Sequence, residues 1–283
     1  MGIISKKKSM LSIIKIKDIA TLIGSACGFF AIILTISSYR AYRLALAMIF
    51  IATISDTLDG YIARKLNQAN EFGKELDSLS DFFAFGIAPA IISFSIYTQT
   101  PTTAMGINGF SVWIMIIPAF IFILGAIIRL AHFNIAEIEG YVGVPTPTTA
   151  SFLILISLID YYCFIAWSDN GSPLLINYII HYSIPFILII LAWFNVTNKI
   201  AFSKKVRHKK GWLKIVMAGV LISALTAFVI IIFFKNQAAV FVFIILIILL
   251  IIVVILIISG FIYSYKEKKQ RIQNNNQSSE ALS

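Results

Sequence analysis

Charge is scarce in this chain. Only 13% of its 283 residues are Asp, Glu, Lys or Arg, against about 25% in an ordinary soluble domain, which excludes a charged, water-solvated surface wrapped around an apolar core. Cysteine is almost absent. Cys27 and Cys163 stand alone in separate apolar stretches, so neither a disulfide framework nor a cysteine-ligated metal is expected, and both read as small buried hydrophobes. No internal repeat and no separate soluble domain can be seen. A clean cleavable leader is lacking too: Lys15 and Lys17 interrupt the run after Lys6, Lys7 and Lys8, and Gly24 replaces the large aliphatic residue that a lipoprotein leader would need before Ala26-Cys27. The first apolar run is expected to remain as an uncleaved helix.

What the chain has in quantity is hydrocarbon, with 59% of its residues hydrophobic. Apolar runs long enough to span a bilayer, about 20 residues each, occur near 19–38, 43–63, 81–98, 109–130, 147–167, 177–196, 212–234 and 238–264. The expected fold is therefore all-α, a polytopic integral membrane bundle of about eight transmembrane helices. With both termini cytoplasmic, all of the 23 Lys and Arg except Arg40, Arg43 and Lys235 fall on the inner side, as the positive-inside rule requires. Topology and attraction to anionic headgroups account for the net charge of +10, leaving no role for nucleic acid.

Against this background the acidic residues are unevenly placed. Six of the 13 Asp and Glu lie between Asp56 and Asp81. Asp56 and Asp59 are three apart and Asp77 and Asp81 four apart, spacings that put each pair on one helical face. Four like charges brought together repel unless protons or a cation intervene, and an all-oxygen set suits a hard divalent ion such as Mg²⁺, Mn²⁺ or Ca²⁺. Gly60, Ala63 and Gly73 leave room for close approach, and Arg64 offers a forked donor matched to phosphate. Four aspartates at mid-bilayer would cost on the order of 10 kcal/mol. The polar run from Lys65 to Glu71 therefore puts the group at the cytoplasmic interface.

Asp56-x-x-Asp59-Gly60-x-x-Ala63-Arg64, eight residues, then Gly73-x-x-x-Asp77-x-x-x-Asp81 resembles the signature of the CDP-alcohol phosphatidyltransferases, with every fixed position filled. The family's usual entry P-N-x-x-T appears here as Lys17-Asp18-x-x-Thr21, so Thr21 carries over as a nucleotide-lipid contact while Asp18 reads equally as a helix cap. No basic residue follows Asp81 in Phe82-Phe-Ala-Phe-Gly86-Ile-Ala-Pro89-Ala90. The resemblance there is to the phosphatidylserine synthase branch, and it extends to Arg129-Leu-Ala-His132-Phe133-Asn134 and to Gly143-Val-Pro145-Thr-Pro147. His132 stands where the branch has Arg and reads as an interfacial bystander.

The resemblance implies the following. A divalent metal, Mg²⁺ or Mn²⁺, is held by Asp56, Asp59, Asp77 and Asp81, with Asp81 also the general base. Gly60, Ala63, Arg64, Gly73, Thr21 and Arg129 bind substrate. CDP-diacylglycerol and L-serine react to phosphatidylserine and CMP in an integral cell membrane protein that works as a homodimer. The chain divides into a basic cytoplasmic N-terminus (1–16), a catalytic membrane domain (17–200), a basic inner loop with two further spans (201–265) and a polar disordered tail (266–283). The loop from Lys199 to Lys214 anchors the topology and can draw in the anionic lipid by its field. Two rival readings are glycerol 3-phosphate or inositol phosphate as acceptor, which the missing basic residue opposes, and a transporter using membrane carboxylates, which explains the charge but not the spacing.

Overall fold

Long helices account for nearly all of the computed structural model, which describes residues 14–37, 41–66, 71–99, 110–135, 141–142, 144–167, 174–197, 201–202 and 242–255, with isolated positions between 229 and 269. In chain order they are α1 (Ile16–Ser37), α2 (Tyr42–Lys65), α3 (Glu71–Gln99), α4 (Phe110–Ile135), α5 (Thr146–Trp167), α6 (Leu175–Val196) and α7 (Val242–Ile255). The only strands among the described residues are β1 (Tyr141–Val142) and β2 (Ala201–Phe202), an antiparallel ladder pairing Tyr141 with Phe202 and Val142 with Ala201. The protein is thus helical, as its apolar runs predict.

Five helical spans are long and apolar enough to cross a membrane: Asp18–Ser37, Glu71–Gln99, Val112–Asn134, Thr146–Trp167 and Leu175–Val196. At 24 residues α2 has the length, but it carries Arg43, Asp56, Asp59, Arg64 and Lys65. Within the expected eighth span lies the shorter apolar α7. The expected seventh span (212–234), the loop from Lys199 to Lys214 beyond Ala201–Phe202, and the tail (266–283) lie outside the described residues apart from isolated positions.

One helix starts ten residues before its apolar run does. The polar first part of α3 continues without a break into the apolar stretch from Phe82, so a hydropathy run records only its second half. Glu71, Lys74 and Glu75 are exposed on one side of that part, while Gly73, Ser78 and Ser80 are buried on the other. Between Phe82 and Ile87 the helix widens to a π turn, in which the Ala88 N–H bonds to the Phe83 carbonyl five residues back. Pro89 supplies a cause. It has no N–H for the Phe85 carbonyl and its ring would crowd that oxygen, a conflict relieved by a wider turn just before it.

Burial sorts the helices. The α5 span is 72% buried, whereas those of α1, α4 and α6 are 33%, 39% and 39% buried, so α5 is central and the others present Phe29, Phe30, Trp113, Ile117, Phe186 and Trp193 outward. Glycines set the close crossings. A Cβ on Gly125 of α4 would lie 3.0 Å from the Ala192 carbonyl of α6, and one on Gly28 of α1 would lie 3.0 Å from Ala84 Cα in the π turn. Buried polar pairs add specificity in a setting where apolar contact alone does not distinguish neighbours. Ser93 and Ser157 join α3 to α5 at 3.0 Å. His181 Nδ1 meets Asp160 Oδ2 at 2.9 Å between α6 and α5, with Tyr97 stacked on the imidazole at 4.2 Å. Cys27 and Cys163 are buried free thiols.

Antiparallel succession gathers six helix ends at one pole: the starts of α1, α3 and α5 and the ends of α2, α4 and α6. Thr21 bonds to Asp59 there, Ser78 to Asn134, the Val144 N–H to the Phe194 carbonyl, and Thr149 to Asn195.

Candidate active site

The acidic pairs meet at that pole. Asp56 and Asp59 project from the last turns of α2 and Asp77 from α3, and one carboxylate oxygen of each lies within 4.8 Å of the other two. Asp59 is buried, while Asp56 and Asp77 are half-buried. Asp81 lies one turn beyond Asp77 on the same face and lines the same pocket with Thr21, Ser80, Gly24, Ala52, Ala84 and Phe85. Small residues make up much of the wall beside the polar oxygens.

Electrostatics explains what the arrangement needs. Two carboxylates near that separation repel by about 3 kcal/mol at an effective dielectric constant of about 20. Arg129 of α4, half-buried, is close enough to act on both Asp56 and Asp81. One guanidinium cannot balance four carboxylates. Three hard oxygen donors converging from two helices fit a divalent cation such as Mg²⁺ or Mn²⁺, with the hydroxyls of Thr21 and Ser80 beside them. Arg129 is oriented by donating from Nη1 to Thr146 Oγ1 at the start of α5.

Thr21 does not simply point into open space for a substrate: its hydroxyl donates to Asp59 Oδ2 at 2.8 Å. Asp18 accepts the Lys15 backbone N–H at 2.8 Å, which makes it a cap for the first turn of α1. Gly73 is buried in the first turn of α3. Gly60 is different from the packed glycines, because a Cβ built there meets nothing within 4 Å, and it shares a face with Asp56 one turn away. Its smallness serves no protein neighbour among the described residues. Gly60→Leu is therefore expected to shift thermal unfolding by no more than about 1 kcal/mol, while raising the KM for a substrate bound beside the carboxylates at least about tenfold. A normal KM would show that the space beside Gly60 is not used. Ala63 and Arg64 belong to the final turn of α2, and their side chains lie outside the described residues.

Several groups at the pole were not singled out from the sequence as site elements. Asn134 accepts from Ser78 Oγ at 2.9 Å through Oδ1 and donates to Glu75 Oε2 at 2.9 Å, while its carbonyl accepts from Lys74 Nζ at 2.9 Å. It ties the end of α4 to the polar part of α3. Ser55 and Ser80 are fastened to α1. The only signal for them in the chain is position, since each immediately precedes an aspartate of the cluster. His132 is exposed.

Comparison with known proteins places this geometry. The family model for CDP-alcohol phosphatidyltransferases matches residues 16–194, more than half of the chain and every element that contributes to the site. The chain belongs to the CDP-alcohol phosphatidyltransferase family. Among curated relatives, it is 35% identical over 155 residues to the CDP-diacylglycerol--serine O-phosphatidyltransferase of Methanocaldococcus jannaschii, covering 54% of this chain and 66% of that one. It is 30% identical over 159 residues to the archaetidylserine synthase of Methanothermobacter thermautotrophicus, covering 55% and 63%. With the CDP-diacylglycerol--serine O-phosphatidyltransferase of Helicobacter pylori it shares 34% identity over 149 residues, covering 51% and 57%. The matches thus span 57 to 66% of these three relatives' lengths. As a CDP-alcohol phosphatidyltransferase, the chain has a reason for its clustered aspartates that the transporter reading does not supply.

Proposed function

We propose that the protein transfers the phosphatidyl group of CDP-diacylglycerol to the hydroxyl of L-serine, giving phosphatidylserine and CMP. The observation that carries this is the convergence of Asp56, Asp59 and Asp77 on one point, with Asp81 and Arg129 beside them, in a chain of this family. The names of the three relatives agree on serine and differ in the lipid, so the acceptor is the better supported half of the assignment.

The residues divide the work as follows. Asp56, Asp59 and Asp77 hold the divalent cation, which when bound screens the pyrophosphate and the charge developing on departing CMP. Asp81, outside the group of three and hydrogen-bonded to Asp56, is the base. It takes the proton of the serine hydroxyl as that oxygen bonds to the phosphorus of the phosphatidyl group, and the bond from that phosphorus to the CMP oxygen breaks. Lys74 binds the Asn134 carbonyl at the exposed end of the site, whereas Arg129, held by Thr146 through Nη1, is close enough to act on Asp81 and has further N–H groups to offer. A carboxylate held by Arg129 puts the serine hydroxyl within reach of that base. Gly60 and Gly73, with Ala63 and Arg64, accommodate the nucleotide half. The pole lies at the cytoplasmic face, where a soluble CDP and a membrane-bound diacylglycerol can both be reached, and the enzyme acts as a homodimer within a bundle of eight spans.

The test is purified protein with CDP-diacylglycerol, Mn²⁺ or Mg²⁺ and candidate alcohols, following CMP release and the lipid formed. Turnover with L-serine is expected to exceed that with glycerol 3-phosphate or inositol phosphate by at least about 100-fold, because no basic residue after Asp81 receives a second phosphate. Preferential use of either phosphorylated alcohol would overturn the serine assignment and leave the phosphatidyl transfer intact.

A further inference from the structure

Two serines occupy matching places in the site. Ser55 immediately precedes Asp56 on α2, Ser80 immediately precedes Asp81 on α3, and they are 6% and 7% exposed. Each donates to a backbone carbonyl of α1, Ser55 Oγ to Ala20 at 2.6 Å and Ser80 Oγ to Thr21 at 2.8 Å. Ser25, one turn further along α1, donates to Ser80 Oγ at 2.7 Å. The same turn of α1 holds Asp59 through the Thr21 hydroxyl. Successive carbonyls of a helix are rotated by about 100°, so Ala20 and Thr21 can address two different neighbours from one position. The three helices pass close together here: a Cβ on Gly24 would make ordinary van der Waals contact, 3.7 Å from Ser80 Oγ and 3.9 Å from the Ala52 carbonyl.

A carbonyl inside a helix retains a second lone pair after accepting its own N–H, and a serine from a neighbouring helix that uses it makes a tie between the two. Such ties matter most where something pushes the helices apart. Here the carboxylates of α2 and α3 repel, and each tie is made one residue away from a carboxylate, about 3.8 Å along the chain. We infer that Ser55 and Ser80 are positioning residues that clamp the two acidic helices to one turn of α1 and thereby set the spacing at which the carboxylates hold a cation. The inference rests on the metal reading proposed above. Neither serine needs to touch substrate for it to hold.

Direct Mn²⁺ binding tests it without turnover. Free Mn²⁺ is followed by electron paramagnetic resonance on the full-length protein in detergent for wild type, Ser55→Ala, Ser80→Ala and Ser93→Ala. The last removes a buried interhelical hydroxyl contact, side chain to side chain, Ser93 with Ser157 at 3.0 Å, away from the carboxylates. The Mn²⁺ dissociation constant is expected to rise about 3- to 10-fold in Ser55→Ala and in Ser80→Ala. Ser93→Ala should match wild type, although thermal unfolding shifts by a similar amount in all three. Ser55→Thr and Ser80→Thr, which keep the hydroxyl, should restore tight binding. Should an alanine variant not remain folded, the cysteine variant, with a weaker donor in a similar volume, should show the same loss in smaller degree. Unchanged Mn²⁺ binding in the folded Ser55 and Ser80 variants, or an equal loss in Ser93→Ala, overturns the positioning role. A wild-type protein that binds no Mn²⁺ overturns the metal reading itself.

Discussion

Alanine at Asp56, Asp59 or Asp77 is expected to lower CMP release from CDP-diacylglycerol by at least about 10³-fold, because losing a metal ligand removes several kcal/mol of charge stabilisation and each 1.36 kcal/mol is a factor of ten. Stability should move independently of activity. Asp56→Ala and Asp77→Ala each relieve repulsion of about 3 kcal/mol per close neighbour, so unfolding of the protein in detergent without metal should occur at an equal or higher temperature. Asp59→Ala also gives up the hydrogen bond from Thr21, worth about 1.5 to 3 kcal/mol for a charged acceptor, and should gain less than Asp77→Ala. Asp81→Asn offers the contrast: a base contributes about 10² to 10⁴ in rate, so turnover falls while Mn²⁺ binding persists. Near-normal turnover in any one variant would remove that residue from its assigned role.

Removal of divalent cations is expected to stop transfer entirely, and Mg²⁺ or Mn²⁺ to restore it. The described site has one positive group next to the acidic cluster, Arg129, which acts on Asp56 and Asp81 and is already engaged by Thr146. Left to that single charge, a pyrophosphate would meet several carboxylates at close range and be repelled from the pocket. Chelation should therefore weaken lipid-substrate binding as well as turnover, a loss visible in CDP-diacylglycerol titrations of the Asp81→Asn protein without serine, where no transfer intervenes. Full activity in excess chelator, with the metal content of the protein measured at zero, would refute the cation clamp.

Much of this was legible in the chain. The dearth of charge and the apolar runs announce a helical membrane protein because helices alone satisfy their backbone within one segment in hydrocarbon. Spacings of three and four put Asp56 with Asp59 and Asp77 with Asp81, since helical periodicity is local and any sequence carries it openly. The family signature and the end of α2 near Lys65 follow from the same local information. Less visible was where α3 begins, because the polar half of a continuous helix leaves no hydropathy trace.

Only the tertiary structure decided which residues of different helices come together. It gives Thr21 to Asp59 rather than to open space, and joins Asp160 to His181 across 21 positions of sequence. It also separates glycines that look alike on the page: Gly28 and Gly125 are pressed against neighbouring backbone, while Gly60 meets no neighbour among the described residues. The reason is geometric. Side-chain direction along one helix is fixed by a period of 3.6 residues, but the meeting of two helices depends on crossing angle and axial offset. Those are set by contacts such as Gly24 with Ser80 and Ser55 with Ala20, between positions 35 to 56 residues apart that no local pattern connects.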